Sequence, residues 1–525
     1  MPMKNVKLAA GALGVMAMMA ALCWAPWSAS GGDKPAPASS PAPQTRPAAM
    51  AAVGPGIPAA ADPKLPEPPF YSIKTWGNCY VKHAEDVRKI GMKWIVVDGW
   101  FKEDQAEEVA LTAARNGVQL LVQLPISRDT FSGNLDEAMR KYRQFVRDNV
   151  TKYGPGGTFW KAHPEVPPMP VRYWSEWEEG DIGYLNPPEG VSRVELQAAI
   201  LQAASEEIRK LDHGAKIVAF NTSEGAAISS PSMDNYMPDR KYYGWRRYIR
   251  EVNEKLDPNI YDGIGMHNFH IPLGPETGGV IKGLALLREA GKTLGFADKG
   301  VWYTAGGYPF VYPRNNQVRD ERQQACFMVR MFAISATHGV VQYAPDFIED
   351  FRDSDAIDAG MKQDKTFGFF PKPGVWREQA VATRVMIRLL PDPRKDFKVI
   401  TEETEPCKDG VFAYQWKGAG GGAILMAWWT GKDDIPQEKK DALKSKGYKI
   451  DAWKGGRDTV ERELAVEGQT ATLVDMLGKD IRTVDVKDGK VKLTLGEAPQ
   501  YVVSAPKAEV EKLIAADDPA PPANK

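Results

Sequence analysis

The feature that most limits what this chain can fold into is an alternation of eight short β-type runs with amphipathic helical stretches. The runs fall at 71–77, 92–100, 118–125, 171–177, 216–221, 261–269, 301–307 and 339–347. They are rich in Val, Ile, Tyr and Trp, residues that suit a pleated, buried surface. Helix-periodic spans lie between them, among them 84–91, 136–153, 193–211, 243–256 and 280–294, with longer ones at 320–338 and 374–390. Strands that alternate with helices in this way form parallel βα units. Eight units over roughly 320 residues predict an α/β fold, a (β/α)8 TIM barrel with insertions, whose site lies at the C-terminal ends of its strands. The competing architecture is a doubly wound sheet. It ranks lower because no Gly-rich phosphate turn follows the first run.

Beyond Pro391 the texture changes. Short β-type runs recur at 410–416, 422–429, 470–477, 490–495 and 500–505, with Gly and Asp between them. They predict a small C-terminal β-sandwich packed on the barrel, interrupted by a Lys/Asp-rich insertion at 431–462. At the other end, Lys4 and Lys7 precede an apolar run to Trp27, followed by the small residues Ser28, Ala29 and Ser30. That is the pattern of an export signal. Cys23 would accept a lipid, but Leu22 stands where a small residue is needed, so an anchor is the weaker expectation. The expected organisation is a signal peptide (1–30), a Pro/Ala-rich disordered linker (31–68), the barrel (69–392), the β-sandwich (393–505) and a C-terminal tail (506–525). The expected location is secreted or periplasmic.

Net charge is −1, which argues against a polyanionic partner such as nucleic acid. No later segment is apolar enough to cross a bilayer, so no membrane contact is expected beyond the export signal. Cys79, Cys326 and Cys407 remain after the signal. An odd number without metal-like spacing rules out a disulfide scaffold.

The stretch V-R-Y-W-S-E-W-E-E-G-D at 171–181 carries the most chemistry. It sets Glu176, Glu178 and Glu179 beside Trp174 and Trp177, where a strand gives way to a Gly180-Asp181 loop. Indole faces stack on pyranose rings, and a carboxyl in an apolar setting stays protonated and donates to a glycosidic oxygen. The competing reading is an edge strand with a solvated acidic end. Further carboxylates at strand ends are Asp98, Glu224, Asp346, Glu349 and Asp350. Each has the alternative of capping a helix or pairing with an arginine. Trp76, Trp100, Trp174, Trp177, Tyr308 and Tyr343 also fall at strand ends, as cleft lining or as core. His267 and His270 follow the sixth run; a metal there lacks an acidic third ligand nearby, so no metal or other cofactor is expected. No G-x-S-x-G elbow appears, which argues against an esterase.

These residues, in this order, resemble a glycoside hydrolase of the large clan with (β/α)8 barrels and two catalytic glutamates, nearest the β-xylosidase/α-L-iduronidase type. The resemblance covers about residues 70–505. It sets Trp174, Trp177, Glu178, Glu179 and Gly180 against a W-x-x-W-N-E-P motif, which implies Glu179 as acid/base and His267 as a substrate contact. Three positions depart from the pattern. Thr304-Ala305-Gly306-Gly307 has Ala305 at the implied nucleophile, Glu178 replaces the Asn, and Val96-Val97-Asp98 stands where an Arg ends the second strand. Two readings follow. One is a hydrolase of polysaccharide or glycoconjugate with Glu179 as general acid and a non-standard, inverting mechanism, its base drawn from Glu178, Glu224 or Asp346. The other is a carbohydrate-binding protein that keeps an aromatic cleft without turnover.

Overall fold

The computed structural model describes residues 65, 67–98, 103–125, 134–176, 179–182, 185, 187–223, 236–237, 242–269, 274–276, 279–310, 318–350, 366–401, 410–418, 422–430 and 459–516. The expected signal peptide, nearly all of the linker, most of the insertion and the last residues of the tail lie outside this set. So do Trp100, Trp177, Glu178, Glu224 and His270.

Eight parallel strands form one sheet in sequential order. They are β1 (Ile73–Trp76), β2 (Trp94–Asp98), β3 (Gln119–Gln123), β4 (Tyr173–Ser175), β5 (Lys216–Thr222), β6 (Gly263–Asn268), β7 (Gly300–Gly306) and β8 (Val340–Tyr343). The sheet closes on itself: Ser72 N–H donates to Tyr343 O at 3.1 Å, and Tyr343 N–H to Phe70 O at 3.0 Å. The crossovers contain α1 (Cys79–Ile90), α2 (Glu103–Asn116), α3 (Leu135–Tyr153), α4 (Arg193–Leu211), α5 (Trp245–Asn253), α6 (Val280–Leu294) and α7 (Glu321–Thr337), and α8 (Glu378–Leu389) follows β8. This is the expected (β/α)8 barrel. Local chemistry sets several helix ends; at α4, Ser192 and Glu195 cap each other reciprocally.

Strand period divides the barrel into two apolar layers. Trp94, Val96, Leu121, Tyr173, Val218 and Trp302 form a cluster of their own inside the barrel. Ile95, Val97, Val122, Trp174, Ile217 and Met266 face the helices instead, as part of the main core.

The C-terminal part is antiparallel: β9 (Phe397–Val399), β10 (Val411–Lys417), β11 (Ala423–Trp429), β12 (Val460–Ala465), β13 (Thr470–Asp475), β14 (Ile481–Lys487), β15 (Lys490–Leu495) and β16 (Gln500–Val503). They pair in the order β9-β10-β11-β16-β13-β14-β15-β12. β10 and β11 are buried on both faces: Val411, Ala413, Leu425 and Ala427 meet the β12/β15 ribbon, while Phe412, Tyr414, Met426 and Trp428 join the core shared with the barrel. The sequence reading missed β9, β12 and β14. β12 reads V-E-R-E-L-A, a helix-favouring composition that fell partly within the expected insertion, and its pairing along all of β15 overrides that propensity. β14 exposes most of its side chains and carries little apolar signal.

A buried ion pair fastens the two parts. Arg330 on α7 donates through Nε to Glu276 Oε1 at 2.8 Å, and the same oxygen accepts Trp428 Nε1–H at 2.7 Å. Arg319 and Gln323 hold Glu497 nearby. Truncating one partner leaves a buried charge without compensation. Arg330→Met is expected to cost about 3–5 kcal/mol in urea unfolding. The double variant Arg330→Met/Glu276→Leu should recover all but the roughly 1 kcal/mol attached to the Trp428 hydrogen bond.

Candidate active site

β4 is three residues long, and its alternation decides which side chains reach the barrel interior. Tyr173 lies inside the barrel and Trp174 in the layer facing the helices. Trp174 is fully buried there, which corrects the expectation that it lines a cleft. Glu176 is also buried, against α4: its Oε1 accepts Gln197 Nε2–H at 3.2 Å and the Phe220 N–H. Its Oε2 has no hydrogen-bond partner among the described residues. Burial pushes the Glu176 carboxyl up to about 8, so it is a neutral acid at pH 7.

Glu179 takes the opposite direction. Its backbone sits at φ 55°, a region that β-carbon sterics make costly for a non-glycine residue. The turn is held because Glu179 N–H donates to Asn221 O at 2.8 Å. The carboxylate Oε1 then lies 2.6 Å from His267 Nδ1 on β6, with both side chains buried. His267 is the register partner of Ala305 on β7, across an irregularity in the pairing that falls between Met266 and His267. A methyl side chain therefore occupies the β7 position in register with His267.

Asn221 holds these strands together. Its Nδ2 donates to Ser175 Oγ at 2.5 Å and Glu176 O at 3.1 Å, and its Oδ1 accepts Thr304 Oγ–H at 2.7 Å. Gly265 on β6 has to be glycine, because a β-carbon there would overlap the Asn221 side chain. On the far side of the barrel, Lys74 Nζ pairs with Asp98 at 3.4 Å, both buried. Trp76 is the register partner of Asp98 and is partly exposed. Gln123 and Gln342 are buried with no hydrogen-bond partner for their amides among the described residues.

The other candidates separate. Asp346 is buried beside the end of β7, its N–H donating to Gly306 O at 2.6 Å. Glu349 instead bonds His83 Nε2 at 3.1 Å, and Asp350 is held by Arg377 and accepts Gly368 N–H at 3.0 Å. Tyr308 packs edge-on against Phe327, and Tyr343 against Tyr303 and Phe332. Both are fully buried, so they belong to the core and not to an open cleft. Among the described residues no group of three or more His, Cys, Asp or Glu side chains is arranged to hold a metal ion.

Asn221 and Asp181 were missed by sequence reasoning. Asp181 accepts Ser223 N–H at 3.0 Å and Ser223 Oγ–H at 2.8 Å, and burial, with the Glu179 charge adding to it, pushes its carboxyl up to about 7. N-T-S at 221–223 ends a strand directly opposite the acidic loop. That pairing of strand ends is the only local signal that could have pointed to it.

The raised carboxyls have a consequence for stability. A folded protein that holds a proton released by the unfolded chain loses stability as pH rises between the two pKa values. For Glu176 the window runs from about 4.5, the ordinary value, to about 8. Glu176→Gln keeps an acceptor for Phe220 and Gln197 and removes the titration. The variant should match wild type below pH 4.5 and become the more stable by about 2–4 kcal/mol at pH 8, measured by chemical denaturation across pH.

No protein-family profile matches this chain, and no curated protein matches its sequence. Solved structures do match. A family 39 glycoside hydrolase from the gut symbiont Bacteroides cellulosilyticus superposes with a TM-score of 0.57 at 15% identity, covering 84% of this chain and 81% of that one. A family 51 alpha-L-arabinofuranosidase from Bifidobacterium longum gives 0.53 at 11%, covering 83% and 96%. A glucosidase from Croceicoccus marinus gives 0.50 at 12%, covering 80% and 90%. At such identities the likeness is one of fold: this chain folds as these glycoside hydrolases do.

Proposed function

We propose that this chain is an exported glycoside hydrolase-like protein acting on a polysaccharide or glycoconjugate, with Glu179 as general acid. The observation that carries the reading is the 2.6 Å contact between the Glu179 carboxylate and His267 Nδ1, buried at the C-terminal ends of β4 and β6. A proton held in that pair is available to a glycosidic oxygen as the bond to the leaving group breaks. The location of the site at the strand ends and the fold shared with glycoside hydrolases support the same conclusion.

The other half of the reaction departs from the two-carboxylate covalent route. Ala305, in register with His267, has no carboxylate to attack the sugar. An inverting hydrolysis needs instead a base that activates water on the opposite face, about 6.5–9.5 Å from the acid. Asp346 is the base we assign, since it is buried and bonded through its backbone to the end of the strand that carries Ala305. Asp98 suits a binding role better, because it is paired with Lys74. The leader at 1–30 and the Pro/Ala-rich stretch after it suit export to the periplasm or beyond, with the folded part on a tether.

A second reading has its own observation. The same Ala305 methyl suits a barrel that binds carbohydrate without turnover. The two part in one assay of wild type, Glu179→Gln and Asp346→Asn on polysaccharides and aryl glycosides, with the product anomer followed by NMR. Inverted product, with kcat lowered about 100-fold or more in each variant, is expected. Retained configuration would overturn the single-displacement route. Wild-type binding without turnover would leave the non-catalytic reading.

A further inference from the structure

Asp181 is buried two residues from Glu179, and the functional reading above gives it no task. Its surroundings are built with some care. The segment Gly180–Ile182 is a single tight turn that begins where Glu179 leaves φ 55°. Ile182 N–H closes it onto Glu179 O at 3.1 Å. Before the turn, Glu179 N–H is held by Asn221 O. After it, the Asp181 carboxylate accepts Ser223 N–H on both oxygens, at 3.0 and 3.2 Å, and Ser223 Oγ–H at 2.8 Å. The end of β5 thus grips the loop on both sides of Glu179, through two residues one position apart from Thr222. A β-carbon on Gly180 would overlap the Tyr248 hydroxyl and the Gln197 amide, so the turn has no room to relax outward.

We propose that Asp181 is a positioning residue for Glu179: its carboxylate clamps the acid-bearing loop to the end of β5, and its negative charge helps the Glu179–His267 pair keep its proton. The inference rests on the assignment of Glu179 as the acid. The groups that face Asp181 are few. Arg193 on α4 donates to the Asp181 carbonyl at 3.1 Å and lies over the Tyr243 ring, and Tyr248 on α5 packs against the turn. Among the described residues the carboxylate's donors are Ser223 and the Asp181 N–H itself, and no cationic side chain is paired with it. Such a charge is poorly screened, and a neighbouring acid answers by holding its own proton to higher pH. Burial pushes the Asp181 carboxyl up to about 7, and the Glu179 charge adds to it; that smaller part is the reciprocal of the same interaction. A simple loop cap would need the hydrogen bonds to Ser223 and not the charge.

The test separates charge from clamp and needs no substrate. His267 is followed by ¹⁵N NMR from pH 5 to 9, its signals assigned by comparison with His267→Gln. Asp181→Asn keeps the shape and removes the charge. The midpoint of the Glu179–His267 pair is expected to fall by roughly half to one pH unit, with the Nδ1–H resonance still present. Ser223→Ala keeps the charge and loosens the clamp. Here the Nδ1–H resonance should broaden, with no fall in the midpoint. An unchanged midpoint in Asp181→Asn would overturn the electrostatic part, and an unchanged Nδ1–H resonance in Ser223→Ala would overturn the clamp. Turnover by wild type is measured separately. Its absence would count against the hydrolase reading and leave the titration result standing.

Discussion

A single side-chain amide inside the barrel organises the site. Asn221 bonds the end of β4 through Ser175 and Glu176 O, the strand β7 through Thr304, and the turn at Glu179 through its own carbonyl. A buried amide without partners is costly, so these bonds are strongly specified once the barrel closes. They also dictate their surroundings. Asn221 itself sits at φ 39° and Phe220 at φ 79°, a local break in β5 that turns the amide inward, and Gly265 has to lack a side chain to admit it. Glu179 faces His267 because this hub leaves its backbone no other course.

The same polar interior explains why three of the four carboxyls at positions 176–181 behave differently. Glu176 points toward α4 and is neutral because burial disfavours its charge. Glu179 points into the barrel and meets an imidazole. Asp181 turns toward β5 and accepts from Ser223. A run of acids on a solvated edge would have titrated together near their ordinary values. Here burial raises the Glu176 and Asp181 carboxyls while Glu179 meets an imidazole, and unlike surroundings are how one fold obtains distinct roles from like groups.

Around this centre the apolar layers do conventional work, with one instructive exception. α7 is buried on nearly every face, since it lies between the barrel and the C-terminal sheet. A helix apolar all round is stable only when covered on all sides. α8 packs along α7, and the C-terminal sheet adds cover where the Trp428 indole meets the Glu276 carboxylate that Arg330 holds. One face of the trailing β-structure therefore belongs to a core shared with the barrel, while its other face packs on a cluster of its own.

The sequence by itself determined the eight βα units, the helix ends at α4 and α6, and the change to β-structure after Pro391. Hydrophobic period, caps and turn residues are local, so they are legible along the chain. It also pointed to the acidic loop at 171–181. Tertiary structure decided which of its residues look inward. Strand parity buried Trp174 and Glu176 behind the sheet, and a turn at positive φ, held by a strand 42 positions further on, sent Glu179 to His267. β12 was decided in the same way, by a partner that overrode its own composition. Whether a side chain faces the barrel or the helices depends on register across strands far apart in sequence, and no local pattern records it.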